Sequence, residues 1–585
     1  MQTREGIPAF GAFALISALG FDEGGYAATA WGWSGVVVLA LLTWLLARGA
    51  PRPTTAGFVL VAALAGFAAW TAASVLWSSH IAASVLEVER LLLYVGAAGA
   101  FALAGSGPAL LAGVLAASSL LCGFGLTRWL LAEPEVPLSA DPEAANRLTE
   151  PIGYANGVAV LAAMGLLVAL GFVARAARRE VAAVAAAAVP LLAATLYFTF
   201  SRGGWLALFI GLAVVVVVGP ARLQLAATAI ALAPLGAAAL IAARTLDGGK
   251  LLAMLIVLST VAATVAFTFP SRLPTVPRQA RTAFAVALVL APVILVTLTL
   301  VRLGGPRGAY ESFKAAPAPV HGGDGRILSA SGSSRADYWD VAWRSFEAEP
   351  LLGTGGGTFA RTWLLDRPIA QPVRDAHSLY LETLAELGPI GLMLLLAALA
   401  APLTGRRSPW TPAALGPYAV FLAHAAQDWD WEVPAATIAA LACGAAMVVP
   451  PTGRRLRRAV AIVPLVLCAL AIVAYAGNRV LAGARAAADR SDFPSSAKRA
   501  RTASRLQPWS SEPWRLRGEA ELAIGADAAA RQSFRRGLDL DPHDWELWLD
   551  LGLASEGLAQ QTAWARAASL NPLSPELTEL GFKSR

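Results

Sequence analysis

Charged residues are scarce in this chain. Only 15% of its 585 residues are Asp, Glu, Lys or Arg, whereas 57% are hydrophobic. A soluble protein of this length needs a much more polar surface, so the composition excludes that class and predicts a protein embedded in a lipid bilayer. The net charge of +7 is less informative here than the positions of the individual Lys and Arg residues.

Cysteine and histidine are also scarce. The cysteines, Cys122, Cys443 and Cys468, all fall inside apolar runs, where they predict small buried residues rather than a disulfide framework or a metal site. The three glycines at 355–357 are not followed by Gly-Lys-Ser/Thr, which excludes a nucleotide phosphate loop. Because the chain has five histidines in all, each can be weighed individually as a catalytic candidate.

Long apolar runs dominate the sequence. Fifteen segments approach or exceed the length of about 20 residues that crosses a bilayer core of roughly 30 Å. They are residues 7–22, 27–47, 56–76, 83–104, 108–131, 152–174, 181–200, 203–219, 223–243, 251–269, 283–303, 388–404, 411–427, 434–450 and 459–477. The first has no small-residue cleavage site after it, so we interpret it as a membrane helix rather than a signal peptide. The predicted fold class is all-α, a polytopic helical membrane protein with about twelve to fifteen transmembrane helices.

Arginines mark alternate connections between these segments. Those connections carry Arg48, Arg52, Arg175, Arg178, Arg179, Arg222, Arg272, Arg278, Arg281, Arg406, Arg407, Arg454, Arg455, Arg457 and Arg458. Because short cytoplasmic loops are rich in Lys and Arg, the alternation predicts a cytoplasmic N-terminus. The predicted domains are N-terminal transmembrane helices at 1–303, an extracytoplasmic loop at 304–387, C-terminal transmembrane helices at 388–477 and an extracytoplasmic tail at 478–585.

One arginine, Arg202, lies between two apolar runs on the predicted outer side. An interfacial arginine that extends toward water is one interpretation. The other is anion binding, because Ser201 precedes this arginine and Gly203 and Gly204 follow it. The glycines would let a bulky anion approach the backbone, and a helix that starts near residue 204 would add the positive end of its dipole.

The outer loop has two parts. Residues 304–334 are rich in Gly, Ser, Pro and Ala, which predicts a mobile segment. An amphipathic helix follows, which Ser333 or Ser334 would cap and which would hold Arg335 in its first turn. Farther along, His377 starts a helix with apolar periodicity, and both a structural role and general-base catalysis remain open for this residue.

The tail contains three similar segments, whose prolines Pro508, Pro542 and Pro572 are 34 and 30 residues apart. A helix–turn–helix repeat of about 34 residues that ends near proline is typical of tetratricopeptide repeats. The tail therefore predicts a small helical repeat domain. Either it binds a protein partner on its concave surface, or it packs as a cap on the membrane domain.

Four motifs follow one another between Phe198 and Ala436: FTFSRGGWLAL, SSRADYWDVAWRSFEAEPLLGTGGGTF, DAHSLYLETLAELGPIGLMLLL and HAAQDWDWEVPAA. Together with RLTEPIGYANGVAV ahead of them, they make residues 147–435 similar to the O-antigen ligase and polymerase superfamily of bacterial glycan-assembly enzymes. The resemblance implies a membrane glycosyltransferase of the GT-C type in the bacterial cytoplasmic membrane. Such enzymes move a glycan from undecaprenyl diphosphate to an acceptor on the outer face, which is lipid A–core, a growing polymer or a protein hydroxyl.

The resemblance also implies roles for single residues. Arg202 and Arg335 match arginines thought to hold the donor diphosphate, and His377 matches a loop histidine proposed as the general base. This chain has His-Ser where many members have His-Asn, which leaves the role of Ser378 open. The supporting positions are Ser201, Gly203, Asp428 and Glu432. The implied reaction inverts the anomeric centre and uses neither a metal nor a cofactor.

Several alternatives accompany this interpretation. Arg90 would either contact the donor diphosphate or pair with Glu87 one helical turn away. The Asp-x-Asp at Asp428 and Asp430 offers a divalent-cation site. A glycolipid flippase or polysaccharide exporter, an oligosaccharyltransferase acting on protein, and a scaffold acting through the tail are the alternative functions. The expected partners are the lipid-linked glycan, its acceptor, membrane lipids and a protein at the tail, and nucleic acid is not among them.

Overall fold

The computed structural model describes residues 3–131, 147–218, 222–268, single positions between 279 and 294, and residues 297–315, 331–405, 408–449 and 455–582. Its helices are α1 Thr3–Phe21, α2 Ala28–Ala47, α3 Thr55–Ser74, α4 Ile81–Ala102, α5 Gly107–Leu131, α6 Ala155–Arg175, α7 Arg179–Phe198, α8 Arg202–Val218, α9 Arg222–Thr245, α10 Gly248–Thr268, α11 Gly305–Lys314, α12 Arg335–Ala348, α13 Phe359–Asp366, α14 Leu379–Ala400, α15 Thr411–His424, α16 Pro434–Ala446, α17 Ile462–Asp489, α18 Phe493–Leu506, α19 Glu512–Ala523, α20 Asp527–Leu540, α21 Trp545–Leu553, α22 Gly557–Leu570 and α23 Pro575–Glu579. The all-α prediction is confirmed.

The predicted apolar segments coincide with helices α1–α10 and α14–α17. About half of the remaining segment, 283–303, lies outside the described residues, and so do Arg272, Arg278, Arg281, Arg406, Arg407 and Arg454 of the basic connections. Nine helices of the described part are long and apolar enough to cross a membrane, and α1, α8 and α16 are shorter apolar helices. The protein is therefore a multi-pass membrane protein.

Helix α6 lies at the centre of the bundle, with 89% of its apolar stretch buried. It packs against α5, α7, α8 and α15. Its sequence, ANGVAVLAAMGLLVALGFVAR, is apolar on every side, which is typical of a helix surrounded by others. This sequence is rich in Ala and Gly. Such small residues let neighbouring helices approach closely inside a membrane, where the hydrophobic effect does not drive helices together.

The connections gather at two ends of the bundle. At one end the backbone of Leu456 donates to Ala50, and so brings two of the basic connections together. At the other end the amide of Ser79 donates to Thr354, and the amide of Leu379 donates to Ala425. We call this second end the loop end, because the long loop after residue 303 covers it.

The long loop contains more regular structure than its composition predicts. Residues 305–314, expected to be mobile, form helix α11, while residues 316–330 lie outside the described part. Arg335 begins α12 as predicted, but Ser334 at the N-cap has a φ of 63° and accepts no capping hydrogen bond from the described backbone. Helix α14 then bends at Gly388, whose φ is 64° and whose missing Cβ leaves room for the carbonyl of Leu351.

The tail follows α17, which runs without interruption through the predicted boundary at 477/478. Helices α18–α22 pack in sequence, each on the next. The tail also contacts the long loop, because Arg361 pairs with Asp541 and Arg367 donates to Asn571 over 2.7 Å. This packing is consistent with a tail that covers the loop end of the membrane domain. The assignment of the tail as a tetratricopeptide domain and the binding of a protein partner stay predictions.

Candidate functional site

Asp428 is the centre of a buried polar cluster at the loop end. Its carboxylate accepts hydrogen bonds of 2.6 Å from the Tyr154 hydroxyl and 2.6 Å from the Asn156 amide. Arg335 donates to the same carboxylate over 3.0 Å and to the carbonyl of Gln427 over 2.6 Å. Three segments far apart in the sequence therefore meet at a residue that is 1% exposed.

The Asp428–Arg335 pair is ionised. Burial alone raises the pKa of the Asp428 carboxyl, but the charge of Arg335 and the hydrogen bond from Tyr154 outweigh burial and hold this pKa well below its usual range. In return, Asp428 raises the pKa of Arg335 despite burial of the guanidinium. The pairing orients Arg335 and keeps it charged at every physiological pH.

Arg202 joins the same cluster from α8. Its guanidinium donates to the hydroxyl of Ser333 over 3.0 Å, and Ser333 lies two residues before Arg335. The hydroxyl of Ser201 accepts from the amide of Gly204 over 3.1 Å and so caps the first turn of α8. The structure therefore brings together Arg202 and Arg335, which the sequence places 133 residues apart.

The two glycines after Arg202 have a packing role that the sequence did not predict. A Cβ on Gly203 would lie 3.0 Å from His424 Nε2, and a Cβ on Gly204 would lie 2.7 Å from the Ala159 side chain. Neighbouring helices fill the space on these sides of the backbone. The glycines therefore allow close helix packing beside the site, while access of an anion to their backbone stays a prediction.

Gly203→Ala tests this packing, and we expect it to lower the melting temperature. His424 cannot yield easily, since its ring is fully buried and its Nδ1 contacts Asp430. Overpacking of this kind costs about 1–3 kcal/mol. Gly236→Ala in α9 is the matched control, because its Cβ would meet nothing within 4 Å. A Gly203→Ala protein that melts at or above the wild-type temperature would contradict the packing role.

His377 precedes the N-cap residue of α14 and has a φ of 54°, a conformation that non-glycine residues rarely adopt. Its Nδ1 lies 3.0 Å from the carbonyl oxygen of Asp375. Because a carbonyl only accepts, Nδ1 carries the proton and Nε2 presents its lone pair. The ring lies between Tyr338 and Trp429, with ring centroids 5.0 and 6.4 Å away.

If His377 is the general base, as the resemblance implies, its surroundings predict the pH dependence of activity. Burial lowers the pKa of its imidazole, Asp428 opposes this shift and Arg335 adds to it. The neutral imidazole is therefore the dominant form at neutral pH, so for a general base at this position kcat/KM should rise through an apparent pKa below about 6.5 and then level off. Asp428→Asn removes the opposing charge and should move this acidic limb to lower pH. An acidic limb above pH 7, or one unmoved by Asp428→Asn, would contradict the assignment.

Arg90 and Glu432 form a second cluster. Arg90 donates to Glu432 over 3.1 Å and also pairs with Glu87, so the pairing weighed from the sequence is present. Two carboxylates thus neutralise this guanidinium. The structure unites Arg202, Arg335 and Asp428 in one cluster and places Arg90 with Glu432 in the other.

Three partners of the first cluster were not identified from the sequence as functional residues. Tyr154 and Asn156 hold Asp428, and Arg147 donates to the side-chain oxygen of Asn156 over 2.6 Å. All three lie in RLTEPIGYANGVAV, which contributed to the resemblance without roles for its residues. The missing information was the proximity of this segment to Asp428, 272 residues away.

The acidic residues differ in their capacity to hold a metal. Asp428 and Asp430 do not share a site, because Asp428 binds Arg335 while Asp430 contacts His424. Among the described residues, the group whose geometry could accept a cation consists of Asp375, Glu382 and Glu432. Carboxylate oxygens of these three residues lie within 4.8 Å of one another.

Comparison with known families agrees with the resemblance. Residues 245–396 match the family model described as O-Antigen ligase. The matched segment includes Arg335 and His377, while Arg202 and Asp428 lie outside it. No curated protein matches the chain. Residues 245–396 of this multi-pass membrane protein therefore belong to the O-antigen ligase and polymerase superfamily.

Proposed function

We propose that this protein transfers a glycan from undecaprenyl diphosphate to an acceptor hydroxyl at the outer face of the bacterial cytoplasmic membrane. The observation that carries the proposal is the convergence of Arg202, Arg335 and a base-competent His377 at the loop end of the bundle. A diphosphate needs fixed cations at the membrane surface, and an acceptor hydroxyl needs a base beside them.

The two arginines suit the donor diphosphate. Arginine stays charged and presents planar donors that bind phosphate oxygens in pairs. Arg335 is oriented by Asp428 and the carbonyl of Gln427, and Arg202 lies at the N-terminus of α8, where the helix dipole favours an anion. Charge on the diphosphate grows as it leaves, so these fixed cations stabilise the transition state more than the bound donor.

His377 suits the acceptor hydroxyl. In the proposed step the acceptor oxygen forms a bond to the anomeric carbon while the bond from that carbon to the phosphate oxygen breaks. The hydroxyl proton moves to His377 Nε2, and the electron pair of the broken bond leaves with undecaprenyl diphosphate. Attack from the side opposite the leaving group inverts the anomeric centre, and the two arginines take the charge-stabilising role that a metal has in other transferases.

The experiment incubates the purified protein with a radiolabelled undecaprenyl-diphosphate glycan and separate acceptors: lipid A–core, free repeat units and a Ser/Thr peptide. Transfer of label to an acceptor supports the proposal; a ladder then indicates a polymerase and a single shifted band a ligase or protein transferase. Arg344→Ala is a control in α12, because Arg344 is about half exposed and pairs with Asp340. If no glycan leaves the lipid but the lipid crosses vesicle bilayers, the protein is a flippase and the proposal is wrong.

A further inference from the structure

A fully buried histidine–carboxylate pair lies between the segments that hold Arg202 and Arg335. His424 ends α15, and its Nδ1 contacts the carboxylate of Asp430, with both side chains 0% exposed. His424 Nε2 and Asp430 Oδ1 have no hydrogen-bond partner among the described residues. A buried ionisable pair adds little to stability, and unsatisfied buried polar atoms reduce it. Stability of the fold alone therefore does not account for this pair.

The pair closes the turn that orients Arg335. The amide of Gln427 donates to the carbonyl of His424 over 2.9 Å, and the contact between His424 and Asp430 joins the two ends of the same turn. Both groups that accept hydrogen bonds from Arg335 lie inside this turn. They are the carbonyl of Gln427, at 2.6 Å, and the carboxylate of Asp428, at 3.0 Å. The position of the Arg335 guanidinium therefore depends on the turn that His424 and Asp430 hold closed.

The same imidazole supports the backbone next to Arg202. Helix α8 packs against α15, and a Cβ added to Gly203 would lie 3.0 Å from His424 Nε2 and 3.3 Å from its Cδ2. The side-chain nitrogen of Gln427 would lie 3.4 Å from that Cβ. One edge of the ring thus contacts the first turn of α8, which Arg202 begins, while Nδ1 holds the turn around Asp428. The ring acts as a spacer between the supports of the two arginines.

A direct chemical role does not fit this pair. Both side chains are 0% exposed, so neither reaches a lipid or an acceptor at the loop end. The pair therefore affects the reaction through the residues that it supports, Arg202 and Arg335.

The separation of two arginines matters for a diphosphate in particular. Its two phosphate groups share one bridging oxygen, so their separation varies little. Two guanidiniums bind both groups at once only when their own separation matches, and a scaffold that fixes this separation in advance strengthens binding. A monophosphate offers a single group, so its binding depends much less on how the arginines are spaced.

We infer that His424 and Asp430 are a positioning pair, which sets the separation of Arg202 and Arg335 and so makes the site selective for a lipid diphosphate over a lipid monophosphate. This inference rests on the proposed function, because it assigns the donor diphosphate to the two arginines. It adds the residues that fix the geometry of the donor site.

Equilibrium binding of undecaprenyl diphosphate and undecaprenyl monophosphate to the purified protein tests the inference without catalysis. The measured quantity is the ratio of the two dissociation constants. We expect the wild type to bind the diphosphate at least about tenfold more tightly, and His424→Asn to lose most of this preference. The asparagine amide can still donate to Asp430, but it lacks the ring atoms that face Gly203. Gly203→Ala displaces the ring from the opposite side and serves as the second variant if His424→Asn does not fold.

Two further variants separate positioning from a general loss of stability. Asp430→Asn is conservative, because its side-chain oxygen can still accept from His424 Nδ1, and it should keep the preference for the diphosphate. Tyr418→Phe is the matched control in the same helix, since Tyr418 is 1% exposed and its hydroxyl donates to the carbonyl of Leu399 over 2.8 Å. It loses a buried hydrogen bond and should melt at a lower temperature, with the ratio of dissociation constants unchanged.

The outcomes separate this inference from the proposed function. A preference that His424→Asn loses, and that Asp430→Asn and Tyr418→Phe keep, supports the positioning pair even if no transfer is detected. Transfer by the wild type, together with an unchanged ratio in both His424→Asn and Gly203→Ala, overturns the inference and leaves the transferase intact. A wild type that binds the two lipids equally, or a His424→Asn protein that weakens both lipids by the same factor, also overturns it.

Discussion

Replacing His377 by alanine should reduce glycan transfer by about 10²–10⁴-fold, the usual contribution of a general base. The loss should appear in kcat, because the proposed base takes the acceptor proton in the transition state and does not hold the bound donor. Single-turnover transfer of the labelled glycan measures this directly. His377→Gln provides a second measurement in which a side chain still fills the space between Tyr338 and Trp429.

The control for this experiment is His543→Ala. His543 is exposed in the tail, so its removal should leave transfer unchanged. Binding of the donor lipid should survive in His377→Ala, which separates loss of the base from loss of the fold. Transfer by His377→Ala within a factor of about ten of the wild type would exclude His377 as the base.

Replacing Arg335 by alanine should have two effects of comparable importance. Transfer should fall by about 10²–10³-fold, because a fixed donor to the leaving group is lost. Stability should also fall by about 3–5 kcal/mol, because Asp428 is 1% exposed and would be left as a buried, uncompensated charge. The first effect belongs to catalysis and the second to the fold, so a single variant cannot distinguish them.

The double variant Arg335→Ala/Asp428→Asn separates the two effects. It removes the buried charge while Tyr154 and Asn156 keep a hydrogen-bonding partner at position 428. We expect its thermal stability to recover most of the loss, while transfer stays as low as in Arg335→Ala. The Arg344→Ala protein provides the baseline for removal of a partly exposed arginine from the same helix. Recovery of transfer together with stability would show that Arg335 has only a structural role.

The sequence alone determined the membrane architecture. An apolar run long enough to cross a bilayer is a local property, so the segments at 7–22 through 251–269 and 388–404 through 459–477 could be located from composition, and helices are present at each. The motifs around Arg202, Arg335 and His377 and their order could also be identified from the sequence, because each motif is a contiguous segment. The helix at Gly305–Lys314 was missed, since its Gly- and Pro-containing sequence is typical of loops.

The tertiary structure decided how these residues are used. Gly203 packs against His424, and Arg90 binds Glu432, which is 342 residues away in the sequence. Asp428 accepts hydrogen bonds from Tyr154, Asn156 and Arg335. These relations depend on which helices become neighbours, and hydropathy carries no information about that choice, because lipid-exposed and protein-facing apolar residues have similar composition. The sequence could therefore name Arg202, Arg335, Asp428, Arg90 and Glu432, but only the packing of the bundle divided them into the cluster around Asp428 and the cluster of Arg90 and Glu432.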